Sequence, residues 1–187
     1  MDAKTLATLA VTVLLALAGY AVTYRNTLRL TKRKERLERV DRQLRELYGP
    51  LYALTESADK SWRAFRLQIG RPTGSFWNAT PPPNEHEQAA WRLWMSHVLM
   101  PLNAQIESVV VEHADLLEGN EMPGCLLDLL AHIAAYKAVL KSWEAGDYSR
   151  HISVIDYPNE VNHYVKREYL KLKALQQSLI GVVAPDA

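Results

Sequence analysis

Residues 84–118 read NEHEQAAWRLWMSHVLMPLNAQIESVVVEHADLLE. Trp91, Trp94, Val98, Leu102, Ile106, Val109 and Leu116, with His113 in phase, recur at spacings of three or four, the period of one buried helix face. Asn84 and Glu87 stand at capping-box spacing and mark the start. The stripe runs through Pro101 without losing phase. The spacing therefore predicts one long helix, kinked at the proline, from 85 to about 118 and ended by Gly119 and Asn120.

The same period continues outward on both sides. Before this helix, Leu51, Leu54, Ala58, Trp62, Phe65 and Ile69 form a stripe that opens at Gly49-Pro50 and closes at Gly70. Residues 70–83, GRPTGSFWNATPPP, hold four prolines and two glycines and must be a loop. After it, Pro123 opens a helix with Leu126, Leu129, Ile133, Tyr136, Leu140 and Trp143 inward. Residues 146–157 connect to a last helix that starts at Pro158 and turns Val161, Val165, Leu172, Leu175 and Leu179 inward. No useful strand-like alternation appears, so residues 49–187 are expected to form an all-α, antiparallel bundle of four to five helices.

The N-terminal quarter differs. Residues 6–24, LATLAVTVLLALAGYAVTY, carry no formal charge, and a helix of that length is roughly 28 Å long, enough to span a bilayer core. Tyr20 and Tyr24 fall where an interfacial belt would lie. A cleaved signal peptide is the competing reading, because Ala16-Leu17-Ala18 resembles a cleavage site. Asp2 beside the single Lys4, the apolar residues beyond the cut and the dense basic run that follows favour an uncleaved anchor instead. Lys and Arg crowd the C-terminal flank, so residues 1–5 are expected outside and the rest in the cytoplasm, at the cell membrane.

The formal net charge of the 187 residues is +1, yet residues 25–48 alone carry nine basic and four acidic side chains. This stretch reads as a helical stalk. Arg25, Arg29, Lys32, Arg33, Lys34 and Arg36 would press against an anionic lipid surface. Acid-before-base pairs at Glu35–Arg39, Glu38–Arg42 and Asp41–Arg45 would support the exposed face. Leu37, Val40, Leu44 and Leu47 make a short a/d seam, suited either to self-association or to docking on the chain's own body. The remainder of the chain is net acidic, which disfavours nucleic acid as a partner.

Signatures of catalysis are missing. There is no glycine-rich phosphate loop, no nucleophile elbow, no His-Glu-x-x-His and no cysteine pair. Glu107, Glu112, Asp115, Glu118, Glu121 and Asp128 lie near His97, His113 and His132, but only Glu160 with His163 has the Glu-x-x-His spacing of bundle metal sites, so no metal or cofactor is expected. The lone Cys125 starts an apolar stripe, the place of a structural cysteine. In the proline-rich loop, Phe76 and Trp77 are candidate anchors for a protein partner, with folding back as a lid the alternative.

The layout of one span, a basic stalk and a small helical body is similar to that of many bacterial inner-membrane proteins, among them membrane effectors of antiviral systems. The expected function is thus a non-enzymatic, single-pass, membrane-anchored interaction or scaffold protein that binds the lipid bilayer and a protein partner or itself. A ligand- or assembly-triggered membrane effector is the alternative, and a membrane-tethered metal-dependent enzyme the second alternative.

Overall fold

The computed structural model describes residues 2–181, and the side chains of all of them except residues 3, 5–11 and 13. Every regular element among the described residues is helical. In chain order they are α1 (Ala3–Arg42), α2 (Gly49–Gln68), α3 (Glu85–Trp94), α4 (Met100–Glu112), α5 (Gly124–Glu144) and α6 (Glu160–Ile180). A π-turn at Gln43–Tyr48 fuses α1 to α2, and a second at Met95–Leu99 fuses α3 to α4. The all-helical expectation holds, and the body carries four helical rods.

Both π-turns stop two residues short of a proline, Pro50 and Pro101. A proline inside a helix donates no amide hydrogen and its ring crowds the carbonyl four residues back. Here the residue before each proline bonds five residues back instead, Gly49 to the Leu44 carbonyl and Met100 to the Met95 carbonyl. The extra residue in the turn keeps the helix going. The long kinked helix expected from 85 thus exists but ends at Glu112, followed by a short 3₁₀ turn at Ala114–Leu116. Its start is the capping box read from Asn84 and Glu87.

The chain divides into two compact units, one of the residues up to Asp41 with those from Leu175 onward, the other Arg42–Ala174. In the first, Arg33 Nε donates to the Leu179 carbonyl at 2.7 Å and Gln176 Nε2 donates to Asp41 Oδ1 at 2.6 Å. Arg33 therefore caps the C-terminal carbonyls of α6 as well as adding to the basic run. Arg25, Arg29, Lys32, Lys34 and Arg36 are exposed. The expected acid-before-base pairs do not form the ladder. Glu38 pairs with Lys34 at 3.8 Å and Arg42 with Glu46 at 3.5 Å, the reverse order along the helix. Among the described residues no helix is long and apolar enough to cross a membrane. Much of the expected span, the side chains of residues 6–11 and 13, lies outside the described residues.

In the second unit the core gathers Leu44, Leu47, Tyr48, Leu51, Phe65, Ile106, Val110, Leu126, Leu129, Ile133, Val161, Val165 and Leu172. Phe65 near the end of α2 meets Trp91 in α3 at 5.6 Å, while Gln43 before α2 donates to the Leu116 carbonyl beyond α4 at 2.8 Å. The α2 and α3–α4 rods are therefore antiparallel. The last helix joins through Tyr164, whose hydroxyl lies 3.0 Å from that of Tyr48, and Tyr169, stacked on Tyr52 at 4.8 Å.

The residues of the stalk seam differ in their burial. Leu44 and Leu47 are core residues of their own chain, Val40 is buried and Leu37 half-buried.

Candidate functional site

One end of the second unit is built from aromatic rings. Trp62, Phe65, Phe76, Trp77, Trp91 and Trp94 interlock with neighbouring ring centroids 4.9 to 6.0 Å apart. Their source is three elements: the end of α2, the proline-rich loop and the start of α3. Phe76 is buried and Trp77 half-buried. The Phe76 and Trp77 rings pack on those of Phe65 and Trp91, so that the loop lies over this end of the unit as a lid.

Two arginines hold that lid. Arg66 is 5 % exposed and donates to three loop carbonyls, Nε to Arg71 at 2.5 Å, Nη1 to Gly74 at 3.0 Å and Nη2 to Thr73 at 2.7 Å. Its guanidinium also lies over the Trp62 ring at 5.2 Å and the Phe76 ring at 5.9 Å. Arg71 grips Glu87 with two hydrogen bonds of 2.6 and 3.0 Å and donates to the Pro81 carbonyl at 2.8 Å. Glu87, which also accepts from the Asn84 amide at 2.8 Å, is held below the usual carboxylate range by Arg71 first and by that amide second. Neither arginine carries a motif. Yet Arg66 lies four residues after Trp62 and three before Ile69, on the apolar face of its helix, and a cation in that phase is the readable signal.

Beneath the lid is a cavity of about 540 Å³, within the range of roughly 300–1,000 Å³ usual for small-molecule sites. Trp62, Phe76, Trp77, Trp91 and Tyr136 supply its apolar wall, and Asp59, Asn103, His132, Asp156 and Tyr157 its polar groups. His132 is 6 % exposed. Its Nδ1 lies 2.6 Å from the Ile155 carbonyl. A carbonyl only accepts, so Nδ1 carries the proton and the neutral ring offers Nε2 as an acceptor. Burial lowers the His132 pKa, against the opposing pull of the Ile155 carbonyl and Asp156, and so favours this neutral form. Asn103, 4 % exposed, makes a single hydrogen bond, from Nδ2 to the Met100 sulfur at 3.7 Å. Burial pushes the Tyr157 hydroxyl up to about 12 and raises that of Tyr136 further, so both phenols stay neutral. Tyr157 donates to Asn162 and Tyr136 to the His151 carbonyl.

The lid also strains a pair of groups at its inner edge. The Trp77 indole stacks on the His151 imidazole at 4.9 Å and 9°, and the buried Trp77 Nε1 and His151 Nδ1 have no hydrogen-bond partner. Each such group costs about 1–3 kcal/mol of lost hydration.

The acidic and histidine residues singled out in the sequence do not converge. His97 is exposed, His113 half-buried, and Glu107 and Glu118 pair with Lys137 and Lys171, each at 2.6 Å. Among the described residues no three His, Cys, Asp or Glu side chains are placed to hold a metal. Asp115 reaches Arg42 at 3.8 Å, a long contact between exposed groups. Cys125 is half-buried and its thiol pKa is raised, chiefly by burial, which suits a packed thiol. Compared with known protein families, curated proteins and solved structures, the chain matches none.

Proposed function

We propose that the chain is a membrane-anchored ligand sensor, in which an N-terminal helix holds at the lipid surface a helical body whose cavity binds a small molecule. The carrying observation is the lidded aromatic cavity, with His132 Nε2 and the Asn103 carboxamide oxygen left without partners in its wall. A plain scaffold has less support, because Leu44, Leu47 and Phe76 are interior and Trp77 is half-buried under the lid. Anchoring is supported by the uncharged residues 6–24 and by the exposed cluster of Arg25, Arg29, Lys32, Lys34 and Arg36 after them. The excess of basic residues on that flank favours a cytoplasmic body.

Extraction tests the anchor. Full-length protein should stay with membranes through both high salt and alkaline carbonate; release by high salt alone would mean adsorption through the basic run. Mass spectrometry of small molecules freed on denaturing the purified protein tests the cavity. A retained compound, or a thermal shift with a metabolite panel, is expected, and neither appearing would overturn the sensor.

A further inference from the structure

The chemistry of the cavity wall narrows the ligand, granted the reading of the cavity as a ligand site. Most of its polar atoms are already used by the chain. Each Arg66 nitrogen donates to a loop carbonyl, Asp59 pairs with Arg63 at 2.8 Å, and the hydroxyls of Tyr136 and Tyr157 donate within the fold. What remains includes two neutral acceptors, His132 Nε2 on α5 and the Asn103 carboxamide oxygen on α4, two helices that pack against each other, beside the unpartnered Trp77 indole N–H and the Asp156 carboxylate. His132 and Asn103 are both more than nine-tenths buried. Two buried acceptors call for a ligand that brings N–H donors, since an apolar molecule would leave both unmet.

Charge decides the rest. An organic cation would meet the Arg66 guanidinium, which already occupies the faces of Trp62 and Phe76. An anion would find one N–H of each Arg66 nitrogen committed to a loop carbonyl and would face Asp59 and Asp156. The ring wall favours a flat molecule. We propose that the cavity binds an uncharged planar nitrogen heterocycle of nucleobase or pteridine type, whose N–H groups donate to His132 Nε2 and to the Asn103 carboxamide oxygen.

Full-length protein in detergent can be titrated with adenosine, lumazine, choline and benzoate, reading tryptophan fluorescence and thermal shift. Trp62, Trp77 and Trp91 line the cavity and report directly on occupancy. Saturable binding of adenosine or lumazine is expected, with choline and benzoate inert. Asn103→Leu and His132→Gln should each weaken that binding about tenfold or more, equivalent to 1.4 kcal/mol, while circular dichroism stays native. Binding of choline or benzoate in place of the heterocycles would overturn this ligand class and leave the sensor standing. Heterocycle binding untouched by both substitutions would overturn the assignment of the two acceptors. No response to any of the four probes, with no compound released on denaturation, would sink both the ligand class and the sensor.

Discussion

His151 does two jobs with different atoms. Its backbone carbonyl accepts from Trp91 Nε1 at 2.8 Å and from the Tyr136 hydroxyl at 3.3 Å, tying the connection after α5 to two rings of the cavity wall. Its ring stacks on Trp77 with a buried Nδ1 that has no partner. A substitution that keeps the carbonyl and the stack but deletes the nitrogen separates the two. His151→Phe is expected to raise stability by about 1 kcal/mol, seen as a melting temperature higher by roughly 2–4 °C. Acid should act through the same ring. The His151 pKa is lowered by burial and then by Arg92, and that of His132 by burial. A depressed folded pKa means the unfolded chain binds the proton more readily, so stability is full above the ordinary histidine value and is lost as pH falls through the folded values. The melting temperature of the wild type should therefore drop from neutral pH toward pH ~5, and less so in His151→Phe. Parallel curves for the two proteins would remove His151 from the account. The sequence could not show any of this, since the partners of His151 lie 15, 60 and 74 residues away.

At the scale of elements, the two proline-led π-turns show what spacing conveys and what it hides. The stripe through Trp91, Trp94, Leu102 and Ile106 crosses Pro101 in phase, which made the continuous rod legible; a π-turn and a simple kink leave almost the same pattern of apolar residues. The capping box, the loop at 70–83 and the helix after Pro123 were legible for local reasons, because their signals lie within a few residues. The lid's grip by Arg66 and Arg71 was not, because backbone carbonyls of a loop leave no trace in side-chain identity. Gly49 makes the π-turn testable. A Cβ built there would collide with the Leu44 carbonyl oxygen, a backbone atom that cannot swing aside. Helix propensity alone says that Gly→Ala gains about 0.5–1 kcal/mol in a helix interior. Gly49→Ala should instead destabilise, by about 1–3 kcal/mol, because the turn must shift or unwind. Gly124, with open space around its Cβ position, is the control, and Gly124→Ala should be neutral or mildly stabilising. Denaturant melts of the two variants check the reversal, and a stabilised Gly49→Ala would mean that the turn is an ordinary α-turn.

For the whole molecule, the +1 net charge conceals a basic stretch and an acidic remainder. The basic residues nearest the uncharged segment are exposed, whereas acids of the body such as Glu107 and Glu118 are partnered by lysines of the same body. Exposed pairs of this kind contribute little to stability, so the body owes its fold to its apolar core rather than to attraction by the stalk. That core, from Leu44 to Leu172, and every residue lining the cavity fall within Arg42–Ala174. All five tryptophans, Trp62, Trp77, Trp91, Trp94 and Trp143, fall there too, so fluorescence reports on this unit alone. A chain of residues 25–187 should therefore leave the membrane fraction yet keep the wild-type tryptophan emission, midpoint and probe response. Its far-ultraviolet dichroism should fall only by the helix of the missing N-terminal segment. If the emission shifts to the red and the midpoint falls, the N-terminal helix is part of what holds the body together, and anchor and sensor are one folding unit. If both hold while the protein still sediments with lipid, the basic run from Arg25 to Arg36 is sufficient for membrane attachment, and the uncharged segment before it serves another purpose.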